Sequence, residues 1–344
     1  MLPNGVGRRA TSYHVAQAAG VSQPTVSRCF QPGSTISQAT RERVLEAADR
    51  LGYTPNALAR SLITQRSNLV AVIATRYTLR GNPDVTYAIG ESLRAAGKQV
   101  MLVTVEHDLP DREVLRQTLE YPLDGLISCA QLADIQLEEL RSRHIPVVLF
   151  NRTANRVAAD HVTTNHALAS EEVARLLCDA GHRRFLCLGG PAEAWVSHQR
   201  VKGFRRGLRK LKIGPPPLVE TDFSYACGRD AFLAYVAAGD RPDAVFCAND
   251  QLALGVMDAC RFQLGWRIPD DISVVGFDDV SEADRPCYRL TTMRQPSVKM
   301  AEEAVRLLLH RLDVPGGEPA HMLIGSVFVH RSSARLATCG KPAE

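Results

Sequence analysis

Two groups of residues in this 344-residue chain have the types and spacing to do chemistry. The first is Gln23, Pro24, Thr25, Ser27 and Arg28, inside VAQAAGVSQPTVSRCF at residues 15–30. Small polar side chains and one arginine on the exposed start of a short helix can bond base edges in a major groove, Gln suiting adenine and Arg suiting guanine. Pro24 would offer only an apolar ring, which favours a thymine methyl, and Arg28 would either read a base or hold a phosphate. The second group is Arg200 with Trp195, Ser197 and His198, then Phe223, Asn249-Asp250 and Asp278-Asp279. An arginine, an asparagine and carboxylates converging on a cleft can bracket adjacent hydroxyls of a polar ligand, while Trp195 and Phe223 can stack on a ring face. Structural alternatives stand beside these: Asp250 and Asp279 as caps, and Arg200 and Asp278 as partners only of each other.

The first group needs a scaffold, and its neighbours supply one. Val15, Ala16 and Ala19 give one helix an apolar stripe, Gly20 permits its end, and Ser22 can cap the next, where Val26 and Phe30 recur at helical spacing. So short a helix must pack on the first and on a third, which Ser37 can cap and which runs through about Leu51 with Val44, Leu45, Ala48 and Leu51 as its apolar face. Residues 53–66, YTPNALARSLITQR, read as a linker: Pro55 breaks regular structure, and Asn56 could cap a helix of two turns carrying Leu58 and Leu62. A plain tether is the alternative.

The second group falls in a different texture. LVAVIA (69–74), VMLVTV (100–105), GLIS (125–128) and PVVLF (146–150) read as buried strands, with helices near 85–96, 112–119 and 135–143. RFLCL (184–188), PLVE (217–220), AVFCA (244–248) and ISVVGF (272–277) follow, with helices near 167–180, 198–211, 228–238 and 251–264. Such alternation means two parallel sheets, each faced by helices, with a cleft between two lobes. Ligands meet the carboxyl ends of strands in such sheets, where Asn249, Asp278 and the loop before Arg200 fall.

Charge and composition sharpen the division. Residues 1–66 hold eight Arg and no Lys against three acidic residues, so the positive excess lies with the helical hairpin although the whole chain carries only +4. A module that contacts phosphates needs that bias. Nine cysteines are scattered singly, without CxxC pairs or zinc spacing, and are expected to be reduced core thiols; no metal or cofactor is expected. No stretch has the length of a membrane span, and the start has no signal-peptide core, so a cytoplasmic protein is expected. The GxGxxG, GxxxxGK[ST] and GxSxG signatures of common α/β enzymes are missing, so an enzyme is not expected.

AAGVSQPTVSR followed by TRERVLEAADRLGYTPNALARSL resembles the DNA-binding headpiece of the lactose-repressor (LacI/GalR) family of bacterial regulators, and the likeness runs through the whole chain. The resemblance implies an all-α helix-turn-helix headpiece over 1–52, a hinge over 53–66, and an α/β two-lobed periplasmic-binding-protein-like sensor over 67–344. It places lobe 1 at about 67–165 and 294–324 and lobe 2 at about 166–293 and 325–340, with three crossings. It implies a hinge that becomes helical on the operator, with Leu62 wedging into the minor groove and Asn56 at the start of that helix. It carries effector contacts onto Arg200 before Gly-Phe, onto Asn249-Asp250, onto Asp278 in Gly-Phe-Asp-Asp, and onto Phe223. Departures are His14 and Thr164, where aspartates are usual, and Asp84, where an aromatic is usual. The function implied is a homodimeric transcriptional regulator, a repressor, that binds a pseudo-palindromic operator under control of a sugar, sugar acid or similar metabolite; Arg76 and Arg80 hint at an anion, unless they are plain surface arginines. A tetramer-forming tail is not expected. A sugar-active enzyme or a transport-type sugar-binding protein is the alternative on the same fold.

Overall fold

The computed structural model describes residues 10–30, 33–54, 66–154 and 156–337. The chain separates into two units, Met1–Ser67 and Asn68–Glu344. The expected hinge helix with Asn56 and Leu62 lies outside the described residues.

The first unit contains α1 (Ser12–Ala19), α2 (Gln23–Cys29) and α3 (Gln38–Arg50). Local chemistry sets each end. Gly20 adopts the left-handed conformation at φ 65° that closes α1, Ser22 Oγ accepts the Thr25 amide at 3.4 Å to open α2, and Ser37 Oγ accepts the Thr40 amide at 3.4 Å to open α3. Val15, Val26 and Val44 are fully buried where the three helices meet. The detail of the apolar faces differs from the sequence expectation. Cys29 is buried in α2 while Phe30 is only partly so, meeting Tyr53 edge-on at 6.0 Å. In α3 the buried residues are Val44, Ala47 and Ala48, whereas Leu45 and Leu51 are exposed. Leu45 sits about 100° round the helix from Val44, so it leaves the seam that Ala47 and Ala48 continue.

The second unit holds two six-stranded sheets. The first lobe contains β1 (Leu69–Thr75), α4 (Arg76–Gly81), α5 (Pro83–Ala95), β2 (Gln99–Val105), α6 (Arg112–Thr118), β3 (Gly125–Ser128), α7 (Asp134–Ser142), β4 (Val147–Phe150) and β5 (Asp160–Thr164). The second lobe follows with α8 (His166–Asp179), β6 (Phe185–Gly189), α9 (Trp195–Lys210), β7 (Leu218–Glu220), α10 (Tyr225–Ala237), β8 (Ala244–Cys247), α11 (Asp250–Asp258), β9 (Ser273–Asp278) and β10 (Thr291–Arg294). Helix α12 (Ser297–Asp313) and β11 (His321–Ile324) return to the first lobe, and β12 (Val327–Val329) returns to the second. The strand orders are β11-β5-β4-β3-β1-β2, wholly parallel, and β12-β10-β9-β8-β6-β7, parallel except for β12 against β10. Runs such as Val70–Ala74 are buried on both faces because helices cover both sides of each sheet, whereas the edge strands β2 and β7, also expected to be buried, are not: Val100 and Leu102 are exposed and Leu218 and Val219 only partly buried.

Three strands, β5, β10 and β11, were not foreseen from the sequence. DHVTT and TTMR are short and rich in threonine, and HMLI is an edge strand exposed at His321 and Leu323, so none reads as a continuous apolar run. Arg294 still belongs to the second sheet, and the return to the first lobe begins with α12. Among the described residues every cysteine is free and most are buried, but Cys227 is only partly so and Cys287 is exposed.

Candidate functional site

Helix α2 stands on the small helical unit with its cap and its buried side accounted for. Val26 and Cys29 face the core, and Pro24 takes the second helical position, where the missing amide has no helical partner to lose. Pro24 and Arg28 are exposed; Gln23, Thr25 and Ser27 are partly so. Two of the expected reading residues are engaged within the unit: Gln23 Nε2 donates to Ser12 Oγ at 3.2 Å, and Thr25 Oγ1 shares a hydrogen bond with Ser22 Oγ at 2.8 Å. Arg28 reaches back only to the Pro24 carbonyl at 3.4 Å, so its guanidinium tip is available. His14 has a local job, its Nδ1 accepting the Thr11 amide at 3.2 Å at the start of α1. An unprotonated imidazole nitrogen there does what a carboxylate does in a capping box.

Between the lobes, five side chains close a ring of hydrogen bonds. Arg200 donates from Nε to His166 Nδ1 (3.3 Å), so His166 carries its proton on Nε2, which donates to Asn151 Oδ1 (3.1 Å). Asn151 Nδ2 donates to Gln295 Oε1 (2.7 Å), Gln295 Nε2 donates to Asp278 Oδ1, and Arg200 Nη2 returns to that same oxygen at 2.8 Å. His166 opens α8 and Gln295 follows β10, at two of the points where the chain passes between lobes, while Asn151 follows β4 at the carboxyl end of the first sheet. Burial, then the charges of Arg200 and Arg152, hold the His166 imidazole well below its usual pKa, which keeps it neutral and keeps Nδ1 an acceptor. Arg200 also donates to the Ala248 carbonyl at 2.6 Å and lies 3.9 Å over the Phe277 ring, leaving it 1 % exposed.

A tyrosine from the first lobe completes this cluster. Tyr77, on α4 at the carboxyl end of β1, donates its hydroxyl to Asp278 Oδ2 and lays its ring 4.7 Å from Phe223 at 30°. Two cavities flank it. One of about 30 Å³ is bounded by Tyr77, Arg200, Asp278 and Gln295; the other, of about 400 Å³, is bounded by Tyr77, Phe223, Arg76, Arg80, Glu193 and Asp222. Phe223, Asp278 and Asp279 all have positive φ, at 68°, 122° and 60°. Strained backbone of this kind gathers where surroundings over-determine it, at about 1–3 kcal/mol per residue. Phe223 is held by Asn249 Nδ2, which donates to its carbonyl at 3.0 Å, and by Thr221 Oγ1, which accepts its amide at 3.2 Å.

The remaining predicted residues are placed differently from expectation. Trp195 does not border either cavity; it packs edge-on to His166 at 5.7 Å and joins the second-lobe core. Ser197 is buried and accepts the Gly190 amide at 2.8 Å, shaping the loop after β6, and His198 is exposed. Asn249, not Asp250, caps α11, its Oδ1 accepting the Leu252 amide at 2.9 Å. Asp250 is fully buried and accepts from Thr292 Oγ1 (2.5 Å) and the Val280 amide (2.9 Å); burial and the nearby Asp278 raise its pKa to about 7. Asp279 pairs with Arg294 and Arg331 at 2.5 and 2.6 Å. Arg200 and Asp278 do bond each other, and both also reach the cavity between the lobes.

Residues 11–56 match the bacterial regulatory proteins of the lacI family, and residues 174–334 match the periplasmic binding protein-like domain. The HTH-type transcriptional repressor PurR of Vibrio vulnificus is 32% identical over 309 residues, covering 88% of this chain and 92% of that protein. The chain belongs to the lacI family of bacterial regulatory proteins. It is also 29% identical to the ribose operon repressor of Escherichia coli (strain K12), over 94% of this chain and 100% of that one. The crystal structure of the lac repressor dimer bound to operator and the anti-inducer ONPF superimposes with a TM-score of 0.85 at 28% identity, covering 96% of this chain and 100% of that chain.

Membership in the lacI family makes the protein a DNA-binding transcriptional regulator with a two-lobed sensing module, and no helix among the described residues is long and apolar enough to cross a membrane. Within that frame, four residues of the cluster were missed in the sequence: Tyr77, Asn151, His166 and Gln295. Tyr77 had a usable signal, since it follows β1 as Asn249 follows β8, at the carboxyl end of a parallel strand. Asn151 had the same signal, directly after β4, whereas Gln295 had none, because it follows β10, a strand the sequence does not announce, and meets Asn151 across 144 residues of sequence. Of the departures from the lacI family pattern, Asp84 is exposed in the first turn of α5, and Thr164 precedes Asn165, whose side chain caps α8 by accepting the Leu168 amide at 3.0 Å.

Proposed function

We propose that the protein is a repressor that acts as a homodimer, reading a pseudo-palindromic operator with one α2 helix per half-site while a small polar metabolite held between the lobes sets its operator affinity. Domain bounds of 1–52, 53–66 and 67–344, and a cytoplasmic location, go with that proposal, and it assigns the protein no enzymatic activity. One observation carries it above the others: a side-chain cluster built from both lobes, with Arg200, Asp278 and Phe223 at a cavity of about 400 Å³ or its small neighbour. A ligand that touches both lobes favours one lobe arrangement over another, and only such a differential contact can shift DNA affinity. Two α2 helices are required because one such module buries too little surface for tight specific binding.

On the DNA side, Gln23, Pro24, Thr25, Ser27 and Arg28 face the bases, with Asn56 and Leu62 assigned to the hinge. Gln23 and Thr25 must exchange their present partners, Ser12 and Ser22, for base edges, whereas Pro24 and Arg28 need no rearrangement. The test is selection from a pool of randomised duplexes with the full-length protein, followed by a thermal-shift screen of sugars, sugar acids and nucleobases. A two-fold symmetric consensus and a ligand that shifts both Tm and operator affinity are expected. An asymmetric or absent consensus, or a monomer in sedimentation with DNA present, would overturn it.

A further inference from the structure

The space where a ligand would meet both Asp278 and Phe223 is taken by Tyr77. Although Tyr77 belongs to α4 of the first lobe, it makes its polar contact and its ring contact on the second: the hydroxyl on Asp278 Oδ2, the ring on Phe223. Tyr77 and Arg152 border both the inner cavity, of about 30 Å³, and the outer one, of about 400 Å³. Both rings have room because two glycines leave it. A Cβ on Gly81 would come within 2.4 Å of the Tyr77 ring, and one on Gly190 within 2.1 Å of the Phe223 ring. Burial and the Asp278 carboxylate raise the Tyr77 pKa well above its usual value, so the phenol stays a donor.

We infer that Tyr77 is a built-in occupant of the effector site and that the effector works by displacing it. The chemistry of the displaced group then describes the effector: a single ring that lies on Phe223 and bears a hydroxyl or amine donor directed at Asp278 Oδ2. Arg200 already donates from Nε, Nη1 and Nη2 to His166, Ala248 and Asp278 Oδ1, so the acceptor that displacement of Tyr77 frees is Asp278 Oδ2. A ligand that filled only the outer cavity would use Tyr77 as a wall instead. Displacement also breaks the contact by which α4 of the first lobe holds the second, which couples occupancy to lobe arrangement. This inference rests on the proposed effector role of the cleft, but its test needs no DNA.

The probe is 4-methylphenol, the tyrosine side chain cut at Cβ, added to full-length protein. Tyr77→Gly removes the occupant, and Gly81→Ala expels it while keeping it in the chain. At about ten times its dissociation constant, 4-methylphenol is expected to raise the Tm of the sensing unit in both variants by about 3 °C, with little change in the wild type at the same concentration. Toluene, which lacks the donor, is expected to give a smaller shift. An unchanged Tm in both folded variants, or an equal shift in the wild type, would overturn the inference. So would failure of both variants to fold, since a displaceable occupant must be dispensable for folding. Failure of the duplex selection would leave 4-methylphenol binding untouched and would count against the regulator proposal alone.

Discussion

Helix α2 and the cluster between the lobes each centre on an arginine, and the two arginines live in opposite settings. Arg28 is exposed, with one weak bond to its own helix; Arg200 is 1 % exposed, with partners on His166, Ala248 and Asp278 and a ring beneath it. On the proposed DNA side the fold leaves the polar groups over after α1, α2 and α3 have packed. On the proposed effector side the polar groups are themselves part of what joins the lobes. Substitutions in the first region should therefore change recognition with little change in stability, and substitutions in the second should do both.

The largest expected effect breaks the second half of that contrast. Arg200→Met strands Asp278 as a buried, unpaired carboxylate, and removing one partner of such a pair costs about 3–5 kcal/mol. Calorimetry should show the sensing transition fall by several degrees, and the effector response should go with it. An unchanged transition would mean that the pair is not what holds the cluster, and Arg200 would then resemble Arg28.

Arg28→Ala and Gln23→Ala probe the other half. If Arg28 reads a base, its loss should cost about 1–3 kcal/mol at one symmetric pair of operator positions and relax the preference there. If it holds a phosphate, binding should weaken on all sequences and the salt slope should shrink by about one per contact. Gln23→Ala is expected to relax specificity, and an unchanged profile would show that Gln23 serves Ser12 alone. Thermal stability should move by no more than about 0.5 kcal/mol in Arg28→Ala.

Stability against pH separates the regions further. Asp250 has its folded pKa raised from 3.8 to about 7, so between those values the native state binds the proton that the unfolded state has lost. Stability of the sensing unit should therefore fall as pH rises from about 4 to about 7, with a slope of at most about 1.4 kcal/mol per pH unit from this group. Above pH 7 its penalty is complete and the contribution flattens. Asp250→Asn should remove that part of the slope in urea melts taken at successive pH values. In the helical unit, Ser22→Ala deletes the α2 cap and should cost about 1 kcal/mol there, leaving the sensing transition unmoved.

Much of this was legible in the chain as written. Ser22, Ser37 and Gly20 act on amides or backbone within a few residues of themselves, so their roles need no knowledge of the fold. The same is true of the apolar runs that became β1, β3, β6, β8 and β9, because a strand covered on both faces must be apolar along its length. The alternation of those runs with helices was enough to require two parallel sheets and a cleft. Faces were read less well than elements: Leu45, Leu51 and Phe30 look like core residues by type, yet a helix seam one residue away admits alanines and a cysteine instead.

What tertiary structure alone decided is which polar residues meet. Tyr77 reaches Asp278 across 201 residues of sequence and Asn151 reaches Gln295 across 144, and no local period records either encounter. The way the two sheets face each other determines them; β5, β10 and β11 are too short or too polar to mark the passages between lobes by any local period, and only the family resemblance placed those passages near 165, 294 and 324. Residue type and spacing could nominate Arg200, Asp278, Asn249 and Phe223 because each follows a strand end or a motif. They could not say that Asn249 would spend its amide on Phe223, that Ser197 would spend its hydroxyl on Gly190, or that Trp195 would turn into the core. Each such side chain has several partners within its reach, and packing of distant segments selects one, because a buried polar group left without a partner costs more than the bond it could have made.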